Sequence, residues 1–135
     1  MDCIFCAIEA EQAPCHQVYA DDHAVAFMDI NPSVPGHVLV IPRRHSPDLF
    51  ALREEELGTF MTAVHRVARK VRTALDADGL NLFQSNGTAA WQSVFHLHVH
   101  VLPRRHGDMI RIPPHIEPGD PEELAQLAAS IRAVT

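Results

Sequence analysis

A chain of 135 residues with 47% hydrophobic and 21% charged side chains has enough apolar content for one buried core. Its formal net charge of −6 argues against holding nucleic acid by bulk electrostatics, so any anionic ligand would have to be bound locally. No run approaches the roughly 20 apolar residues of a membrane helix, the opening Met1-Asp2-Cys3-Ile4-Phe5-Cys6 lacks the basic start of a signal peptide, and three cysteines make a poor disulfide framework. The expectation is a cytoplasmic protein with neither a membrane nor a nucleic-acid partner.

In chain order, residues 3–10 fit a short helix that ends near Pro14. His16 to Tyr19 and Ala24 to Met28 read as strands around an Asp21-Asp22 turn, and Asn31 to Gly36 is a turn-rich loop. His37 to Ile41 is a β-branched strand stopped by Pro42. From Glu54 the period lengthens: Leu57, Phe60, Met61, Val64, Val67, Val71 and Leu75 recur every three or four residues. Acids at the start and bases at the end of that stretch suit the dipole of one long helix. Leu80 to Gln84 and Phe95 to Leu102 read as further strands. Asp120-Pro121-Glu122-Glu123 resembles a helix start, followed by an apolar face of Leu124, Leu127, Ala128 and Ile131. These elements predict an α+β domain over 1–135: an antiparallel sheet of about five strands with a long helix packed on it. The core would span about residues 3–105, with 106–135 an extension ending in a helix.

Histidine is the unusual component, ten residues that are grouped rather than scattered. In an extended strand, His96, His98 and His100 share one face while Leu97, Val99 and Val101 take the other. Such a face could be a wet polar edge or a metal-binding strand. Active-site chemistry suits it better, because crowded imidazoles cannot all be charged near neutral pH and imidazole is nucleophile, proton donor and ligand.

The run His96-Leu97-His98-Val99-His100-Val101-Leu102 resembles the signature of the histidine-triad superfamily. Cys3-Ile4-Phe5-Cys6, Phe27-Met28-Asp29-Ile30, Pro35 to Pro42 and Gln92-Ser93-Val94-Phe95-His96 look like its bacterial Hint-like branch, in the same order. The resemblance implies cleavage at the α-phosphate of purine nucleotide conjugates, phosphoramidates or related compounds, through a nucleotidyl-histidine intermediate. It makes His98 the nucleophile and His100 the phosphate partner. Ser93 would stand near the leaving group, and His37, by itself readable as a turn residue, would join the proton-sharing network. Asp29, otherwise a turn-forming residue, would bind ribose. Phe5, Ile8, Phe27 and Ile30 would line the purine slot, although each is also a plausible core residue. The segment Ser85 to Gln92 would be the phosphate-side loop, with Ser85 and Gln92 contacting the nucleotide. Relatives usually carry Asn where this chain has Ser85 and Gly where it has Trp91.

Cys3 and Cys6 form a Cys-x-x-Cys pair that could be redox-active, two buried thiols, or half of a metal site. The missing βαβ context weakens the redox reading. The resemblance completes the metal set with His45 and His96 as a structural zinc site, leaving Cys15, His16, His23, His65, His106 and His115 as surface or packing residues. It also implies a homodimer built on the long helix and an edge strand. Two other readings stay open: a diadenosine polyphosphate hydrolase of the fragile-histidine-triad type, and a nucleotide- or zinc-binding regulatory module with incidental hydrolysis.

Overall fold

The computed structural model describes residues 3–112 and 116–135. Met1, Asp2 and His115, about which the sequence raised expectations, lie outside them. The described residues form α1 (Ile4–Glu9), β1 (Gln17–Ala20), β2 (Ala24–Met28), β3 (Val38–Pro42), α2 (Glu54–Leu75), β4 (Gly79–Phe83), β5 (Val99–Arg104) and α3 (Pro121–Arg132). One five-stranded sheet runs β1-β2-β3-β5-β4 with every neighbouring pair antiparallel. This is the expected α+β architecture.

The sheet has two apolar faces of unequal size. On the larger side, Val18, Ala24, Ala26, Met28, Val38, Val40, Val99 and Val101 pack against α2 and α3. Helix α2 begins with Glu54, Glu55 and Glu56, carries Arg72 in its last turn and stops at Asp76, whose left-handed backbone (φ 48°) caps it. Its buried face is Phe60, Ala63, Val64, Val67 and Val71. Leu57 and Met61, expected on that face by periodicity, remain 43% exposed. Helix α3 starts as expected, with Asp120 accepting from the Glu122 N–H and Pro121 in the first turn. It covers the β1 edge, where Arg132 Nη1 donates to the Gln17 carbonyl.

On the smaller side, Phe5 of α1 packs with Val25, Phe27, Leu39 and Ile41. Strands β2 and β3 are therefore buried on both faces, which explains why they read as continuous apolar runs rather than alternating ones. The loop into β3 turns at Gly36 (φ +88°), where a Cβ would stand 2.9 Å from Leu75 Cγ and 3.0 Å from Pro103 Cγ. Both backbone and space require glycine immediately before His37.

One expected element is shorter. Strand β5 begins at Val99, not Phe95. Its ladder with β3 pairs Val40 with Val99, Leu39 with His100 and Val38 with Val101. Upstream of that ladder the Leu97 N–H goes to the Ser46 carbonyl instead. The side-chain alternation continues regardless: Leu97, Val99 and Val101 enter the main core, and the histidines take the opposite side.

Candidate active site and metal cluster

Four histidines on the smaller face fall into two hydrogen-bonded sets, and the backbone, directly or through a neighbouring ring, fixes the proton on each. His37 Nδ1 lies 3.0 Å from the Ser33 N–H. An amide N–H can only donate, so Nδ1 is bare and the ring proton sits on Nε2. That Nε2–H faces His100 Nδ1 at 2.9 Å, which in turn places the His100 proton on its own Nε2. His98 Nδ1 is 2.7 Å from the His96 carbonyl. A carbonyl can only accept, so His98 carries its proton on Nδ1 and presents a bare Nε2. His96 Nε2 is 2.9 Å from the Pro42 carbonyl, leaving His96 Nδ1 bare.

All four assignments require neutral rings, and burial supplies that condition. It pushes His37 down to about 4, aided by His98. Burial, with His37 and His98 close by, pushes His100 down to about 3. Burial also lowers His98 and His96, against the carbonyl hydrogen bonds that favour their charged forms. The site thus holds a lone pair at His98 Nε2 beside an N–H donor at His100 Nε2, with the two rings 4.9 Å apart.

Asp29 follows β2 directly. Its Oδ1 accepts the Asn31 N–H at 2.8 Å, the contact of a turn-forming aspartate. Oδ2 lies 3.5 Å from His37 Nε2. With His37 neutral this contact is not an ion pair, and burial raises the Asp29 carboxyl to about 6.

Of the four residues expected around a purine, three gather. The Phe5 and Phe27 rings meet edge to face at 5.4 Å, Phe5 stands 5.1 Å from the His98 ring, and Ile8 packs against the same cluster. Ile30 does not join them; it is 60% exposed and its carbonyl accepts from Gly119. Gln92 is buried with its amide spent on backbone: Oε1 accepts from Gly87, and Nε2 donates to the Pro47 and Val94 carbonyls. It braces the loop of residues 85–92. Ser85 is half-buried and Ser93 exposed. Trp91 has a left-handed backbone (φ 74°) and is 75% exposed. That conformation costs a non-glycine residue about 1–2 kcal/mol, and glycine would adopt it without strain.

Sequence reasoning missed four participants. The Ser33 N–H and Pro42 carbonyl act through backbone, which carries no residue signal. Asn86 ties its loop to the segment after β3, accepting from Leu49 N–H and pairing with Gln84. The fourth, Phe83, stacks on His100 with ring centres 4.2 Å apart and planes 7° off parallel.

The four residues expected to hold a metal also converge. Cys3, Cys6, His45 and His96 bring one donor atom each within 4.8 Å of all the others. Cys3 Sγ lies 3.4 Å from His96 Nδ1, Cys6 Sγ 3.2 Å from His45 Nδ1 and 3.5 Å from His96 Nδ1, and the two imidazole nitrogens are 3.2 Å apart. A tetrahedral zinc with ordinary Zn–S and Zn–N bonds would place S and N about 3.5 Å apart and two N atoms about 3.3 Å apart. The donor set fits a four-coordinate ion. Cys3 Sγ also accepts the Cys6 N–H at the start of α1, and the Pro42 carbonyl holds the far nitrogen of the His96 ring at 2.9 Å, as a carbonyl behind a metal-bound imidazole does. Asp29, His37 and His100 form a second cluster of comparable size. Its nitrogens are spoken for: the Ser33 N–H fixes the proton on His37 Nε2, and that N–H occupies His100 Nδ1. This cluster is a hydrogen-bond relay.

A HIT domain family profile matches residues 10–107. A HIT-like protein of Mycobacterium tuberculosis is 42% identical over 112 residues, covering 83% of this chain and 78% of the relative. A histidine triad nucleotide-binding protein from Sulfolobus tokodaii superposes with a TM-score of 0.87 at 33% identity, covering 96% of this chain and 89% of that one. A zinc-bound histidine triad family protein from Mycobacterium smegmatis gives a TM-score of 0.84 at 38% identity, over 98% of this chain and 92% of that one.

Proposed function

The chain belongs to the HIT domain family, and on that premise we propose that it hydrolyses purine nucleotide conjugates such as phosphoramidates through a nucleotidyl-His98 intermediate. The observation that carries the proposal is the proton placement: a bare His98 Nε2 beside an N–H at His100 Nε2. In the first step the His98 Nε2 lone pair forms a bond to the α-phosphorus. The bond to the leaving group breaks with its electron pair, and the departing amine takes a proton that the Ser93 hydroxyl relays from solvent water. His98 then carries positive charge, which its Nδ1–H shares with the His96 carbonyl in a charge-assisted hydrogen bond. His100 Nε2–H supports the phosphoryl oxygens as charge develops. In the second step water attacks phosphorus and gives up a proton to the solvent, the P–Nε2 bond breaks, and the lone pair returns to His98. Intact-mass measurement after mixing with a slow-turnover adenosine phosphoramidate tests this: an added nucleotidyl mass on the segment holding His98 is expected, and turnover with no adduct even under rapid quench counts against it.

Phe5, Ile8 and Phe27 would hold the base and Asp29 the ribose hydroxyls, with Ile30 at the rim and Ser85 and Gln92 keeping the phosphate-side loop in place. An ionised carboxylate accepts both hydroxyls, whereas a protonated one accepts less and must donate. With Asp29 raised to about 6, adenosine affinity is expected to fall as pH drops through that value. Calorimetric titration across pH 5 to 8 reads this, with Asp29→Asn expected to bind weakly and without the pH step; a wild-type profile flat through pH 6 would remove Asp29 from the ribose site.

Zinc at Cys3, Cys6, His45 and His96 would be structural, since four protein donors close the coordination sphere. A homodimer through β4 and α2 is supported by exposed apolar side chains on both: Leu82 (45%) and Phe83 (42%) on the edge strand, Leu57 and Met61 (each 43%) on the helix. Light scattering is expected to return the dimer mass, and a monomer at micromolar concentration overturns this assembly.

A further inference from the structure

One row of directly paired residues crosses the site face of the sheet: Phe27 opposite Leu39, Leu39 opposite His100, and His100 opposite Phe83. Phe83 ends the row on the edge strand. Its ring lies flat on the imidazole of His100, centres 4.2 Å apart and planes 7° off parallel, while 42% of the residue stays exposed. The other contacts of His100 do not restrain its plane in this way. His37 meets it through a single hydrogen bond at 2.9 Å with the rings tilted by 44°, and His98 meets it edge-on. One hydrogen bond fixes where Nδ1 sits but lets the ring rock about that bond, and χ2 of histidine is a broad torsion. The direction of the Nε2–H, on the far side of the ring, follows the plane.

We propose that Phe83 is a positioning residue: its stacked ring sets the plane of His100 and so aims the His100 Nε2–H at the phosphoryl group. This rests on the reaction proposed above and adds to it a determinant of the chemical step that touches neither base nor ribose. A flat six-membered ring is what the role needs. Tyrosine supplies it, whereas leucine keeps apolar bulk at the same place on the strand without a face to stack.

The test is a double-mutant cycle with adenosine phosphoramidate as substrate. Phe83→Leu is expected to lower kcat about tenfold, since misaiming a catalytic group by a fraction of its length costs rate, with KM within about twofold. Phe83→Tyr is expected to recover most of that loss. In a His100→Ala background, Phe83→Leu is expected to add nothing, because the group it aims is gone. An equal further loss in that background, or a Tyr variant as impaired as Leu, overturns the proposal in favour of a general role in sheet stability or assembly. A substrate-free arm separates failure of this inference from failure of the reaction assignment. Nitrogen-15 NMR of histidine-labelled protein reports the tautomer and mobility of His100 directly. Phe83→Leu is expected to broaden or average its ring signals while those of His96 stay fixed; an unchanged His100 ring overturns the proposal whatever the substrate.

Discussion

Replacing His98 with alanine is expected to reduce hydrolysis of a nucleoside phosphoramidate on the order of 10⁵-fold, the scale seen when the nucleophile of a covalent mechanism is deleted. The adducted species in the mass spectrum should vanish with it. Structure gives little reason for the variant to misfold: among the described residues the His98 ring makes one hydrogen bond, to the His96 carbonyl, and meets the aromatic rings of Phe5 and His100. Adenosine should therefore still bind, because Phe27 and Asp29 stand on β2 and the loop after it. The informative contrast is His96→Ala, two residues away. That substitution removes a donor from the Cys3–Cys6–His45 cluster but leaves the His96 carbonyl, and hence the His98 proton, in place. It should lower stability and metal content while the folded fraction keeps the power to form an adduct. Hydrolysis that survives His98→Ala would mean a different nucleophile, and the proton assignments on His37, His98 and His100 would lose their functional meaning.

That contrast also shows what the sequence could and could not convey. Strict alternation of His96, His98 and His100 with Leu97, Val99 and Val101 predicts correctly which residues enter the main core. It says nothing of where the β3–β5 ladder starts, since side-chain period does not depend on partner pairing; β5 begins at Val99 for lack of a ladder partner upstream. Helix α2 was legible from charge and periodicity, yet Leu57 and Met61 share that periodicity with Phe60 and Val64 and end outside the packed face. The Cys-x-x-Cys pair signalled a cluster, but choosing His45 and His96 from ten histidines required the family resemblance. The proton placements were illegible, because Ser33 N–H and the Pro42 and His96 carbonyls act as backbone. Phe83 looked like any strand aromatic until the register set it opposite His100.

Removal of the proposed zinc is the remaining test with a large expected effect. A ligand that binds only the folded chain stabilises it by about 4 kcal/mol when its free concentration exceeds Kd a thousandfold, so chelation, or Cys6→Ala, should lower the unfolding midpoint by a correspondingly large step. Burial and the neighbouring Cys3 raise the Cys6 thiol to about 11 in the metal-free protein, so metal uptake must release protons, and affinity should rise with pH across the neutral range. The consequence reaches the pocket through one residue. Phe5, carried by the six-residue α1, packs 6.0 Å from the His96 ring, 5.1 Å from His98 and 5.4 Å from Phe27. A helix that short has little stability of its own. Once Cys3 and Cys6 lose their metal, α1 should loosen and take Phe5 with it, weakening adenosine binding while His37 keeps its hydrogen bond to His100 and His98 keeps its own to the His96 carbonyl. Elemental analysis giving one zinc per chain, a chelator-sensitive unfolding midpoint and a KM that rises more than kcat falls are the expected results. A protein purified without metal, indifferent to both added zinc and chelator, would reduce the cluster to four packed side chains.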